Sequence, residues 1–249
     1  MIFRQLFEEL SSTYTYLIAC EETRQAVLVD PVYPTSDRDL SVLHELDLTL
    51  IYTIETHIHA DHITSALKLK KDAGSKMIFP LMSECERTDL RSEEGKPITL
   101  GSVVINPLYT PGHTDDHTSY QFNDRVLTGD ALLINGCGRT DFQNGDGEVL
   151  YHSVREKLFA LPDDTLVYSG HDYRQHRVSS IVQEKQLNPR LGGNRSLPDF
   201  LKIMDNLNLD YPKFIDHAVP GNQQGGMCPA DLPDKFDSYC HQMTESPQG

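Results

Sequence analysis

The stretch Thr56-His57-Ile58-His59-Ala60-Asp61-His62 constrains this chain more than any other. It places three imidazoles and one carboxylate in seven residues. Polar groups crowded at the end of an apolar run are costly to desolvate unless something binds them. Imidazole with carboxylate suits Zn, Fe or Mn, and the cluster holds no cysteine, which argues against a thiolate site. Residues 49–54 before it are β-branched and aromatic and read as a buried strand. Residues 63–71 after it carry apolar positions at helical spacing and stop short of Gly74, so they read as a short helix. His57 and His59 are two apart in extended chain and share a face. Asp61 and His62 fall where the chain turns into the helix. A lone histidine beside a strand is usually a packing or surface residue; four potential ligands in six consecutive positions are not explained that way.

The same reading along the chain predicts strands early and helices between them. Residues 13–19 and 25–30 pair as a hairpin around Glu21-Glu22-Thr23, and residues 37–46 form an amphipathic helix capped by Ser36 or Asp37. Short strands follow at 76–79 and 102–108, and a hairpin at 118–122 and 125–128 turns on Asn123-Asp124. A helix covers 148–161 and is stopped by Pro162, then a strand covers 165–168. Helices follow at about 176–187 and 198–207, with a loop-rich end and a frayed tail from Met243. Sheets covered by helices imply an α/β or α+β sandwich, with the topology left open.

Three later segments repeat one shape, an apolar strand, a glycine, then His or Asp. They are Thr110-Pro111-Gly112-His113-Thr114, Leu127-Thr128-Gly129-Asp130-Ala131 and Tyr168-Ser169-Gly170-His171-Asp172. Glycine lets the backbone bend sharply, and a ligand at a strand end is held by a rigid element. The candidate set is then His57, His59, Asp61, His62, His113, Asp130 and His171.

The order HxHADH, PGHT, TGDAL, SGHD resembles the metallo-β-lactamase superfamily, which implies an αββα sandwich with metal at its edge. The match runs over most of the chain and implies a single domain, 1–249, with a helical and loop extension from about 176. Residues 129–143, His171-Asp172-Tyr173, Leu187-Asn188-Pro189-Arg190-Leu191, Phe200-Leu201-Lys202-Ile203-Met204 and Asp216-His217-Ala218-Val219-Pro220 resemble the persulfide dioxygenases, the ethylmalonic encephalopathy protein family. The opening segments Ile2-Phe3-Arg4-Gln5-Leu6-Phe7 and Ser12-Thr13-Tyr14-Thr15-Tyr16-Leu17 do so too. Residues 221–228 depart from the mammalian form, where a cysteine falls a few residues earlier. Cys228 is left open between a loop thiol and a catalytic one.

This resemblance implies one Fe(II) per chain, held by His57, His113 and Asp130. Two imidazoles and one carboxylate on one face leave positions for a persulfide sulfur and O₂ side by side. The implied reaction takes glutathione persulfide, O₂ and water to sulfite and glutathione. His59, Asp61, His62 and His171 become a vacated second-metal site that holds the ligands by hydrogen bonds. Glutathione carries two carboxylates, so the substrate end needs positive charge. Arg139, Arg190 and Tyr173 are assigned to it by resemblance, since a guanidinium grips a carboxylate in two parallel hydrogen bonds. Arg174, Arg177 and Arg195 read as surface ion pairs. His44, His152, His176, His217 and His241 read as structural or surface. So does His117, where the turn at Asp115-Asp116 fits a solvent-facing ring at least as well.

Two other readings use the same residues. The seven polar groups could hold two metals and a bridging hydroxide, as in a thioester hydrolase of glyoxalase II type. A metal- or thiol-binding sensor without turnover is the third. A formal net charge of −15 argues against nucleic acid or an anionic membrane as partner. No apolar run is long enough to span a membrane, and the N-terminus shows neither a secretory signal nor a transit pattern. Five scattered cysteines without a CxxC pair predict no disulfide framework and a reducing cytoplasm. A homodimer is implied by the family alone.

Overall fold

In the strand Thr13–Ala19, Tyr14, Tyr16 and Ile18 face one way, Leu17 and Ala19 the other, and both sets are buried. A strand apolar on both faces has to be covered on both. The computed structural model describes residues 1–240 and shows the two covers. One sheet holds, in spatial order, β1 (Ile2–Glu8), β2 (Thr13–Ala19), β3 (Gln25–Val29), β4 (Thr49–Ile54), β5 (Lys76–Pro80) and β6 (Leu90–Ser92). The second is formed by β7 (Ile98–Leu100), β8 (Val103–Tyr109), β9 (Thr118–Phe122), β10 (Arg125–Gly129), β11 (Leu166–Ser169) and β12 (Ser179–Ser180), again in sequence order across the sheet.

Parallel neighbours need a crossover, and helices supply it for every such pair among the described residues except β5 and β6, which a loop joins. α1 (Ser36–Glu45) joins β3 to the parallel β4, and α2 (Ala66–Ala73) joins β4 to β5. α3 (Gly147–His152) runs on into a π-helical turn, Ser153–Leu158, between β10 and the parallel β11. α4 (Ile181–Leu187), α5 (Leu197–Asp205) and α6 (Ile215–Gln223) follow. Tyr16, Val27, Ile54, Ile105, Phe122 and Leu127 pack between the sheets. Leu17, Leu28, Leu43 and Leu69 pack beneath α1 and α2, and Val126, Val154, Val167 and Phe200 on the far side. The layers are therefore αββα, the sandwich that the family resemblance implies and that the strand pattern left open. Among the described residues no helix is long and apolar enough to cross a membrane.

Two core tyrosines connect this packing to the sheet edge. The Tyr120 hydroxyl donates to Glu55 O at 2.8 Å and the Tyr16 hydroxyl to Ser169 O at 2.6 Å. The Thr118 amide also donates to Thr56 O across the sheets at 2.8 Å. The segments following β4, β8, β10 and β11 meet at this edge.

Both predicted hairpins form, with Asn123 at φ +46° in the turn of the second. The helix predicted from residue 63 begins at Ala66, because Thr64 is held in a bridge to Val32 and its hydroxyl donates to Glu55. The helix predicted from about 176 begins at Ile181. Asp172 accepts the amides of Arg174 and Arg177 and holds a turn there, and Ser180 caps the helix. α6 falls in the end that the sequence pattern marks as loop-rich. Pro220-Gly221 looks like a breaker, yet Ile215, Ala218 and Asn222 bury one face of a helix. His241 and the tail from Met243 lie outside the described residues.

The reading of Cys228 as a thiol is corrected: it is joined to Cys240 in a disulfide. The loop between them folds back on Phe214, where Phe236 and Tyr239 pack at a tilt, and brings the two Cα atoms to 5.8 Å. An odd cysteine count does not exclude one pair, and Cys20, Cys85 and Cys137 stay free and buried. The inference of a reducing compartment loses its support with this bond.

Candidate metal centre

Asp30 ends β3 at φ +49° and turns its carboxylate under the strand next door. Its Oδ1 accepts the Thr56 amide at 2.7 Å, and its Oδ2 the Thr56 hydroxyl at 2.9 Å. With its proton given to Asp30, Thr56 Oγ1 can only accept from His57 Nδ1, 2.9 Å away. The His57 proton is thereby on Nδ1, and Nε2 presents a lone pair. Burial, then the neighbouring imidazoles of His59 and His113, hold His57 well below the ordinary histidine range. It is neutral, as a metal ligand must be.

His113 is oriented in the same way from the other sheet. Its Nδ1 donates to Arg139 O at 2.6 Å, which leaves Nε2 free. Gly112 before it sits at φ +128°, and a Cβ there would lie 2.3 Å from the Leu150 amide nitrogen. Asp130 follows Gly129, and its Oδ2 lies 3.5 Å from His113 Nε2 and 3.6 Å from His171 Nε2. Its Oδ1 is buried with no hydrogen-bond partner. A buried carboxylate oxygen without a donor costs on the order of 1–3 kcal/mol or more. A cation is what would satisfy it. Potential ligand atoms of His57, His113 and Asp130 lie within 4.8 Å of one another.

His59, Asp61 and His62 make a second group of the same tightness. His62 Nδ1 lies 3.0 Å from Asp61 Oδ2, and His171 Nε2 lies 3.6 Å from the same oxygen. His59 points Nε2 the other way, 3.1 Å from Asp30 and 3.4 Å from Glu55. Burial opposes its proton, but Asp30 and Glu55 outweigh burial and raise its pKa well above the usual range. Burial pushes Glu55 up to about 7. Burial also opposes ionisation of Asp61, yet His62 and His171 hold its carboxyl well below the usual carboxylate range. His59 Nδ1 and His62 Nε2 are buried and unpartnered; His62 Nε2 offers a lone pair, and His59 Nδ1 offers one once the ring gives up the proton that Asp30 and Glu55 hold on it.

A model of the metallo-β-lactamase superfamily matches residues 9–76 and 86–171 of this chain. Persulfide dioxygenase ETHE1 of Homo sapiens, mitochondrial by its name, is 46% identical over 230 residues, spanning 91% of this chain and 89% of that protein. The crystal structure of ETHE1 from Myxococcus xanthus superposes with a TM-score of 0.89 at 52% identity, covering 91% of this chain and all (100%) of that one. The chain belongs to the persulfide dioxygenase family of the metallo-β-lactamase superfamily. A probable hydroxyacylglutathione hydrolase of Schizosaccharomyces pombe is more distant, at 35% identity over 78% of this chain and 91% of that protein.

The residues expected to hold this family's substrate are split between two cavities. Arg190 borders a cavity of about 180 Å³ with Cys137, His171 and Tyr173. It uses one N–H on Cys137 O at 2.6 Å. Tyr173 is 72% exposed and lies parallel to the His171 ring at 5.8 Å. Arg139 borders a larger cavity, about 600 Å³, that touches none of the candidate ligands. Its guanidinium is held two-pronged by Asp141 at 2.6 and 2.7 Å and lies over Phe142. Of the two, only the smaller cavity is lined by a residue of the histidine and aspartate set, His171.

Asp30, Thr56 and Asp116 position the histidines, although the motif marks none of them for that role. Asp116 is buried and accepts the Ile58 amide at 3.0 Å. The solvent-facing reading of His117 is corrected, since that ring is 0% exposed. Thr110 N donates to His117 O, so the ladder that carries β9 starts one residue before the strand and turns His117 inward. The run of small and apolar residues from Thr118 carried that signal, but the Asp115-Asp116 turn masked it.

Proposed function

We propose that this chain is an iron-dependent persulfide dioxygenase that converts glutathione persulfide, O₂ and water to glutathione, sulfite and two protons. The observation that carries the reading is the pair of imidazoles with Nδ1 tied to oxygen, whose ligand atoms lie within 4.8 Å of an Asp130 carboxylate that keeps one buried oxygen unpartnered. Two histidines and one carboxylate form the facial donor set that suits Fe(II) and leaves positions open. Iron in that set would supply a place for sulfur and O₂ to meet and exchange electrons.

The chain's own side chains do the rest. Thr56 and the Arg139 carbonyl hold the two rings. Arg190, beside the cavity onto which His171 opens, is suited to a glutathione carboxylate, and Tyr173 covers the same mouth with its ring. Arg139 is suited to the second carboxylate if Asp141 yields it. His171 sits within 3.6 Å of both Asp61 and Asp130, and these carboxylates raise its pKa against burial. It is placed to hold a proton next to the reacting centre.

The unpartnered His59 Nδ1 and His62 Nε2 favour a second reading, a two-metal thioester hydrolase. One experiment separates the two. Purified protein is analysed for metal and given glutathione persulfide in air and under nitrogen, and S-lactoylglutathione in parallel. The dioxygenase takes up O₂, releases sulfite in air only, and holds about one iron per chain. Two metals per chain, with cleavage of the thioester under nitrogen and no O₂ uptake, would sink it.

A further inference from the structure

His117 is fully buried beside the centre and belongs to none of the groups of candidate ligands. Its ring meets the His113 ring edge-on at 6.3 Å and lies closer to the other two residues of the main group. On one side it lies 5.1 Å from the His57 ring, with 30° between the planes. On the other, its Nε2 receives the Asp130 amide at 3.1 Å and the Ala131 amide at 3.3 Å. Two N–H donors at Nε2 require a lone pair there, so the ring proton is on Nδ1. Nδ1 meets Thr110 Oγ1 at 3.0 Å, and Thr110 passes its own hydroxyl contact to Ser119 Oγ at 2.8 Å. The tautomer is thus set by a chain of three side chains.

The approach is close enough to dictate the turn. Gly129 has φ +46°, and a Cβ there would stand 2.5 Å from His117 Nε2. Other residues of this chain reach such an angle, but only the missing Cβ of glycine lets the main chain come so near the ring. A bond to the amide of Asp130 acts on the backbone that aims its carboxylate. The ring behind His57 limits how far that imidazole can tilt away.

We propose that His117 is a positioning residue, which presets the Asp130 carboxylate against His57 through the two amides of the Gly129–Asp130–Ala131 turn. This rests on the reading of His57, His113 and Asp130 as the metal ligands. A ring that only fills space would be replaceable by any side chain of its size. A ring that acts through Nε2 is replaceable only by a side chain that accepts there.

The test uses metal-free full-length protein titrated with Co(II), whose visible absorption reports ligand geometry without turnover. His117→Leu keeps the volume and removes the acceptor; His117→Gln puts a carbonyl oxygen where Nε2 stood. The expected result is Co(II) affinity roughly 10–100-fold weaker in His117→Leu, with an altered spectrum, and recovery of both in His117→Gln. Wild-type affinity and spectrum in His117→Leu overturn the proposal. So does a His117→Gln protein as impaired as His117→Leu. If His117→Leu does not fold, Thr110→Val decides: losing the acceptor that fixes the tautomer should weaken Co(II), and unchanged binding overturns the idea. His57→Ala is measured beside them. If it binds Co(II) like the wild type, the ligand reading fails, whatever His117 does.

Discussion

Thr56 Oγ1 lies 2.9 Å from His57 Nδ1 and gives its proton to Asp30 Oδ2 at the same distance, 2.9 Å. The hydroxyl therefore decides which nitrogen of His57 is left for a metal. Thr56→Val keeps the shape and removes that decision. Metal affinity is expected to fall roughly 10–100-fold, as for other groups that orient a ligand, and Thr56→Ser to restore it. Anaerobic titration of metal-free protein with Fe(II) measures both, and an unchanged affinity in Thr56→Val contradicts the assignment.

Asp130 contributes the only carboxylate of the main group, and one of its oxygens is buried and unpartnered. Asp130→Ala should keep the fold, because the amide bonds of the turn remain. It should lose the metal and O₂ uptake together. A ligand that binds only the folded state raises Tm. The wild type should therefore melt higher with Fe(II), and Asp130→Ala at one temperature with or without it. A metal-dependent Tm in the variant would speak against Asp130 as a ligand.

Much of this site was legible because the candidate ligands are concentrated and sit at strand ends. His57, His59, Asp61 and His62 announce themselves in one motif, and the Gly-His and Gly-Asp turns locate the others. What supports them was not legible. Asp30 lies 26 residues before Thr56, and nothing local marks an aspartate at φ +49° as its partner. His117 was hidden by a polar turn whose second residue, Asp116, points inward rather than out. The same holds for the fold. The strand and its hairpin partner at 13–19 and 25–30 were legible, while α6 was hidden because Pro220 sits in a helix held by packing rather than by propensity.

Arg139 separates into two parts with different jobs. Its carbonyl holds His113 Nδ1, whereas its guanidinium borders the larger cavity. Arg139→Ala removes only the second. KM for glutathione persulfide should rise at least severalfold, since a two-pronged guanidinium–carboxylate contact is lost, with the iron content unchanged. An unchanged KM would return Arg139 to a surface pair with Asp141. Loss of iron would show that the side chain, and not the carbonyl alone, places His113.

The Cys228–Cys240 bond closes a short loop, 12 residues in sequence, over the cluster of Phe214, Ile63 and Ala218. A cross-link of this span restricts the unfolded chain by roughly 2–3 kcal/mol. The Cys228→Ser/Cys240→Ser double variant should unfold at lower guanidinium by that amount, and reductant should bring the wild type to the same midpoint. A wild-type midpoint indifferent to reductant would show that the bond is absent in solution or contributes nothing.

Asp39 carries a pH signature far from the metal centre. It is 0% exposed, its Oδ1 takes the Arg38 guanidinium at 2.8 Å, and its Oδ2 has no partner. Burial outweighs Arg38 and raises its pKa from 3.8 to about 6. The folded state therefore prefers the protonated acid. Stability from this group is fully present below the unfolded value and is lost as pH rises through about 6. A shift of this size corresponds to at most about 3 kcal/mol. Asp39→Asn mimics the protonated form at every pH. Its unfolding free energy should match the wild type near pH 4 and exceed it increasingly toward neutral pH, as read from denaturant midpoints across that range. The difference between the two proteins isolates Asp39 from the other carboxylates, so a difference that stays constant with pH would mean that Asp39 is ionised in the fold throughout.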